Sequence, residues 1–251
     1  MIDTHAHINI APLYENVEDI INKATLAGVN KIIAIGINNK TNLRALKLAE
    51  HYPQVYATVG YHPSEIADKL DFITLEKQLN HPKVVGLGEI GLDLYWQKDN
   101  LVKQQEVFLK QIELAIKTKM PVVIHSRNSA DLIYQLIKTK KHLKGVMHCY
   151  SEHEELSEKF IELGFYLGIG GIITFKNDQI VKSIALKTPL KRLLIETDSP
   201  YLAPTPYRGK TNEPKNVVYV LKALANLKKI SEADLIKITS DNAKMLFSKI
   251  K

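Results

Sequence analysis

Asp3, His5 and His7 in the opening stretch MIDTHAHIN carry the first chemical signal in the chain. A β-strand presents every second residue to one face, so the three side chains point the same way. Two imidazoles at that spacing can reach one metal ion, with Asp3 behind them as an orienting group. Taken alone, the pair is equally compatible with a polar N-terminus that happens to hold two histidines. Further ionisable residues follow apolar runs in the same manner: His62 in VGYHP, Glu89 in VVGLGEIGLD, His125 in PVVIHSR, His148 in KGVMHCYS and Asp198 in LLIETDSP. Each has a bland role open to it. A histidine can close a strand with a hydrogen bond, Glu89 can cap the next element, and Asp198 can form an Asx-turn before Pro200. Imidazoles and carboxylates together suit Zn²⁺, Mn²⁺, Mg²⁺ or a similar divalent ion. His5, His7, His125, His148, Glu89 and Asp198 exceed what one catalytic zinc needs, so a two-metal site sharing one carboxylate is economical.

The elements that must position these residues alternate along the chain. Short β-branched runs near 1–5, 31–37, 54–60, 83–88, 121–125, 143–148, 164–169 and 192–197 read as strands. Amphipathic stretches near 15–28, 40–51, 69–80, 101–118, 128–139, 152–163, 176–187, 213–228 and 231–248 read as helices. Gly28 stops the first helix, Pro121 marks a strand entry, and Ser231 followed by Glu232 and Asp234 starts the last helix. Strict βα alternation implies a parallel sheet with helical crossovers. Eight strands in 251 residues favour a closed (β/α)8 TIM barrel as a single domain over 1–251, with an open doubly wound sheet as the alternative. A barrel gathers the carboxyl ends of its strands at one mouth, where the ionisable residues above fall. Asp3 and Glu196 each stand two residues before a candidate ligand, so they should lie just beneath it.

Composition sets outer bounds. The hydrophobic share of 45% is that of a globular protein with a sizeable core, and no apolar run is long enough to cross a bilayer. Cys149 is the only cysteine, which excludes an intramolecular disulfide. Together with the lack of a secretory leader pattern, this leads us to expect a cytoplasmic protein, without a membrane partner and working as a monomer. A net charge of +7 mildly favours a polyanionic substrate, although much of the excess is scattered lysine.

Seven motifs in order make the chain resemble the TatD-type metal-dependent hydrolases, the TatD-like deoxyribonucleases of the amidohydrolase-like barrels. They are DTHAH at 3–7, GYHP at 60–63, GEIGLD at 88–93, IHSR at 124–127, HCYS at 148–151, ETDSPY at 196–201 and RGKTNEP at 208–214. The resemblance spans essentially the whole chain. It implies two divalent cations per chain, with His5, His7 and Asp198 on one, His125 and His148 on the other, and Glu89 bridging. It also implies phosphodiester hydrolysis, as a 3′–5′ exonuclease acting on DNA. One position departs from the pattern: Glu152 follows Ser151 where many members have glycine. A carboxylate there would either repel phosphate at the mouth or start the following helix.

For such chemistry Asp198 is the residue expected to take the proton of the attacking water. Arg127, two residues beyond His125, can grip a phosphate with its planar fork. Arg208 and Lys210 add two cations in a loop beyond the eighth strand, and His62 either contacts phosphate or protonates the leaving group. Tyr61, Tyr95, Trp96, Tyr150, Tyr201 and Tyr207 are candidates to stack on nucleobases. No helix-turn-helix, zinc-finger or basic-zipper pattern suggests sequence-specific reading of DNA. The cations do not separate DNA from tRNA, so hydrolysis of a D-aminoacyl-tRNA ester, or of a small-molecule amide, is the alternative.

Overall fold

A computed structural model describes residues 1–66, 69–96 and 98–251 of the chain. Eight parallel strands run in chain order: β1 Ile2–Ala6, β2 Lys31–Ile35, β3 Val55–Val59, β4 Val84–Asp93, β5 Val122–Arg127, β6 Gly145–Met147, β7 Tyr166–Ile169 and β8 Leu193–Ile195. Around them lie α1 Val17–Leu26, α2 Asn39–His51, α3 Phe72–Leu79, α4 Leu101–Thr118, α5 Ala130–Ile137, α6 Glu154–Glu162, α7 Gln179–Lys187, α8 Val217–Lys228 and α9 Glu232–Leu246. The helices start where local chemistry satisfies their free N–H groups. Side chains of Asn38, Asp71, Asp178 and Ser231 accept the backbone N–H three residues on, at 2.9–3.0 Å.

The ring closes between β1 and the segment just after β8. The Asp198 N–H donates to the His5 carbonyl at 2.9 Å, and the His7 N–H donates to the Ser199 carbonyl at 2.7 Å. Closure therefore sets Asp198 beside His5 of β1 and His7 just after it. The result is the expected (β/α)8 TIM barrel in a single domain, with the mouth at the strands' carboxyl ends. The opposite end is filled. Ile33, Ile35, Val85, Val123, Val146 and Leu194 cluster with Leu246 and Phe247 at the end of α9. His125 stands two residues beyond Val123 in β5 and so shares its inward direction.

Boundaries depart from the sequence expectation in instructive ways. β4 was expected over 83–88 but continues to Asp93, so Glu89 lies within a strand and not after one. Gly88 and Gly91 allow β4 to stay against β5. A Cβ on Gly88 would fall 2.7 Å from Val123, and one on Gly91 (φ +153°) would fall 1.9 Å from the His125 carbonyl oxygen. β6 and β8 are only three residues each, shorter than the expected 143–148 and 192–197. Both end because the chain must turn its next residues into the mouth. Asp198 does so at φ 56°, a left-handed conformation that aspartate tolerates better than most side chains. α8 begins later than expected, since Pro214–Asn216 forms a 3-10 turn ahead of it.

Candidate metal centre

Glu89 sits at the middle of the mouth, and its two oxygens face two different groups of side chains. Oε2 lies 3.4 Å from His5 Nε2 and 3.5 Å from His7 Nε2. Asp198 Oδ1 completes that side, 3.6 Å from His5 Nε2 and 3.5 Å from His7 Nε2. Oε1 lies 2.8 Å from His148 Nε2 and 3.1 Å from His125 Nδ1, and those two nitrogens are 3.4 Å apart. A tetrahedron of bonds of about 2.0–2.1 Å has edges of roughly 3.3–3.4 Å, the spacing ligands take around a divalent ion. The donor–donor distances of the two groups, 2.8–3.6 Å, bracket that spacing. His5 and His7 direct Nε2 toward the shared oxygen, while their buried Nδ1 atoms have no hydrogen-bond partner. The residues fit a metal centre in number, chemistry and spacing.

The charges in the cluster are tuned by each other. Burial opposes ionisation of Glu89, but the imidazoles of His148, His62 and His5 outweigh it and hold the carboxyl well below its usual range. Asp198 is likewise lowered against its burial, chiefly by the hydrogen bond from His7 and by His148. His148 is raised well above an ordinary histidine: burial acts against its charge, and Glu89 and Glu196 overcome it. His5 is lowered by burial and by the neighbouring His148. Two carboxylates kept ionised among buried imidazoles make a site suited to a metal cation.

His62 stands at the edge of the same group, with Nε2 3.6 Å from Glu89 Oε1. Its Nδ1 accepts the Ser64 N–H at 3.1 Å, capping the 3-10 turn Pro63–Glu65. That bond occupies the Nδ1 lone pair, so the ring proton of the neutral form is on Nε2 and points into the mouth. Burial and the adjacent His125 push its pKa down to about 3. At neutral pH His62 is thus a hydrogen-bond donor and does not carry the acidic proton of an imidazolium, which disfavours the leaving-group acid considered from sequence.

Beneath the donors lie Asp3 and Glu196, both buried and directed inward as their register requires. Asp3 was expected to orient the histidines. It acts on the backbone instead: Oδ1 accepts the His5 and Thr197 N–H groups at 3.3 and 3.0 Å, and Oδ2 pairs with the Thr197 hydroxyl at 2.6 Å. Burial raises its carboxyl to about 8. Glu196 Oε1 accepts the Cys149 N–H at 2.5 Å and lies 3.4 Å from His148 Nδ1. Gly168 makes room for it, since a Cβ there would fall 2.3 Å from Glu196 Oε2.

One residue given no such place from sequence also stands against the cluster. Asp93, at the end of β4, puts Oδ2 3.3 Å from His125 Nε2. Its alternation with Glu89 along one strand was the available signal. Glu152 takes neither of the roles expected for it. Its carboxylate accepts the Ser129 and Ala130 N–H groups at 3.0 and 3.3 Å and the Ser126 hydroxyl, capping α5 from the β6–α6 loop.

Of the candidate substrate contacts, His62 and Arg127 line the cavity of about 470 Å³ above the cluster, with His7, Glu89, Asp93, His125, His148 and Asp198. Arg127 rests over Tyr95, its Cζ 5.0 Å from the ring centre. Arg208 and Lys210 are not among the residues lining that cavity. They lie against Phe175 at 4.1 Å and Tyr207 at 5.9 Å. Tyr61 and Tyr150 are buried, with hydroxyls bonded to Asp71 and His153 carbonyls, so neither ring is free to stack on a base. Tyr207 is set edge-on to Tyr219. Trp96 and Tyr201 are exposed and line the cavity, and Tyr95 stands beside Trp96.

The chain is similar to known proteins over its whole length. The family model described as TatD related DNase aligns with residues 2–248. The metal-dependent hydrolase YabD of Bacillus subtilis is 38% identical, covering 98% of both chains. The metal-dependent hydrolase YcfH of Escherichia coli K12 is 34% identical, covering 98% of this chain and 95% of its own. The crystal structure of the TatD homologue YjjV from Escherichia coli K12 superposes with a TM-score of 0.91 at 31% identity, covering 99% of this chain and 98% of its own. With the His, Glu and Asp cluster gathered at the mouth of its barrel, the chain belongs to the TatD family of metal-dependent hydrolases.

Proposed function

We propose that the protein is a two-metal phosphodiesterase acting on DNA, as an exonuclease of 3′–5′ polarity. The observation that carries the reading is the divided coordination of Glu89, with imidazoles 2.8–3.1 Å from one oxygen and 3.4–3.5 Å from the other. His5, His7 and Asp198 would hold one cation, His125 and His148 the other, and Glu89 both. Bound there, divalent cations supply Lewis acidity at the phosphoryl oxygens and lower the pKa of water toward neutrality.

The chain's own residues supply the rest. Asp198 keeps its carboxylate ionised at neutral pH and is available to take the water's proton. His62 donates its Nε2–H to a phosphoryl oxygen, a hydrogen bond available without any titration. Arg127 lines the same cavity with its guanidinium over the Tyr95 ring, where its planar fork can meet a phosphate. Trp96 and Tyr201 offer exposed rings on the cavity wall to bases flanking the phosphate. The test is metal-reconstituted protein offered single-stranded DNA, RNA and D-aminoacyl-tRNA in parallel. Release of mononucleotides from the 3′ end of DNA supports the reading. Ester hydrolysis of the charged tRNA with DNA left intact would replace it.

A further inference from the structure

His125 is held between two carboxylates. Its Nδ1 lies 3.1 Å from Glu89 Oε1, inside the cluster, and its Nε2 lies 3.3 Å from Asp93 Oδ2, on the far side of the ring. An imidazole that gives one nitrogen to a metal must place the proton of the other, and an acceptor there fixes both tautomer and ring orientation. Asp93 is built as such an acceptor. It is 3% exposed, and its Oδ1 takes the Tyr95 N–H at 2.9 Å and the Trp96 N–H at 2.8 Å. Gln104 clamps its backbone, accepting the Asp93 N–H at 2.8 Å and donating to the Asp93 carbonyl at 3.1 Å. Pinned on these sides, the carboxylate presents Oδ2 to His125.

We propose that Asp93 is a positioning residue for the metal centre, holding the proton of His125 on Nε2 so that Nδ1 is the nitrogen offered to the cation on that side. The inference rests on the metal-centre reading. The opposite side, made by His5, His7 and Asp198, has no contact with Asp93 and should be indifferent to it.

Asp93→Asn is the informative substitution, because it keeps the shape and the acceptor for the Tyr95 and Trp96 N–H groups. It replaces the acceptor facing His125 with an NH₂ donor, which drives the ring proton onto Nδ1, the nitrogen the cation needs. Zinc titrations followed by calorimetry should show two binding steps in the wild-type protein. In folded Asp93→Asn, one step should persist and the other weaken about 10- to 100-fold, the usual effect of losing such a partner. Nitrogen-15 spectra of the imidazoles in zinc-loaded wild-type protein, assigned with His125→Gln, give a second readout that needs no folded Asp93 variant. They should show the His125 proton on Nε2. Two unchanged zinc affinities in Asp93→Asn, or a His125 proton on Nδ1 in the wild type, would overturn the role of Asp93. Wild-type protein that fails to bind zinc at all would instead remove the metal centre itself, and the wild-type titration alone tells the two failures apart.

Discussion

Each side chain in the mouth is defined by what its second polar atom is doing. His62 uses Nδ1 on Ser64, which leaves Nε2–H for the substrate, and its pKa of about 3 keeps the ring neutral through the working range. The sign follows directly: a depressed histidine pKa means the proton is lost well below neutrality, so no rate change between pH 5 and 9 belongs to His62. His62→Ala should lower kcat/KM by the worth of one hydrogen bond to a charged acceptor, about 1.5–3 kcal/mol. The acid limb of the pH–rate profile should stay in place, and a shift of that limb would show that His62 does titrate. Arg127 is held differently, lining the cavity with its guanidinium over the Tyr95 ring. Arg127→Ala should cost about 1.5–3 kcal/mol in kcat/KM, the range for hydrogen bonds to charged groups, with metal content unchanged. Arg127→Lys should recover only part, because an ammonium lacks the planar fork.

At the scale of elements, the barrel gathers candidate ligands from β1 and the residue after it, from β5 and from the turns after β6 and β8 around Glu89 of β4. Most of this was legible in the sequence. Strand interiors announce themselves by β-branched runs, and His125, His148 and Asp198 each terminate such a run. What the sequence concealed came from partnerships between elements. The fourth strand was expected to end at 88, yet Gly88 and Gly91 let β4 lie against β5 as far as Asp93. Glu152 invited a reading tied to its own helix, whereas its partners Ser126, Ser129 and Ala130 belong to an earlier βα unit. That bond makes a prediction about the element alone. Glu152→Ala should destabilise the protein by about 0.5–2 kcal/mol in denaturant unfolding, the worth of a helix cap, and leave the metal content unaltered. Loss of a metal ion from that variant would show that Glu152 reaches the centre.

For the whole molecule, two separate stabilities meet in one barrel. The closed ring of strands, floored by Leu246 and Phe247, buries its core without help from the mouth. Chelated protein should therefore keep most of its helical circular dichroism while activity disappears, and unfolding on chelation would make the ions structural. Without metal, the cluster depends on the pairing of charged Glu89 with charged His148. The raised pKa of His148 contributes stability below its ordinary value, and that contribution is lost as pH rises through the elevated folded value. The lowered pKa of Glu89 contributes above the ordinary carboxylate range and is lost toward acid. The Tm of chelated protein should fall on the alkaline side, and restored metal should flatten that fall. All of this turns on two cations sharing Glu89. Anomalous diffraction from a crystal of the zinc-loaded protein tests it most directly. We expect two peaks flanking the Glu89 carboxylate, each about 2.0–2.2 Å from its donors, one at His5, His7 and Asp198 and the other at His125 and His148. A single peak, or a second one away from His125 and His148, would contradict the account.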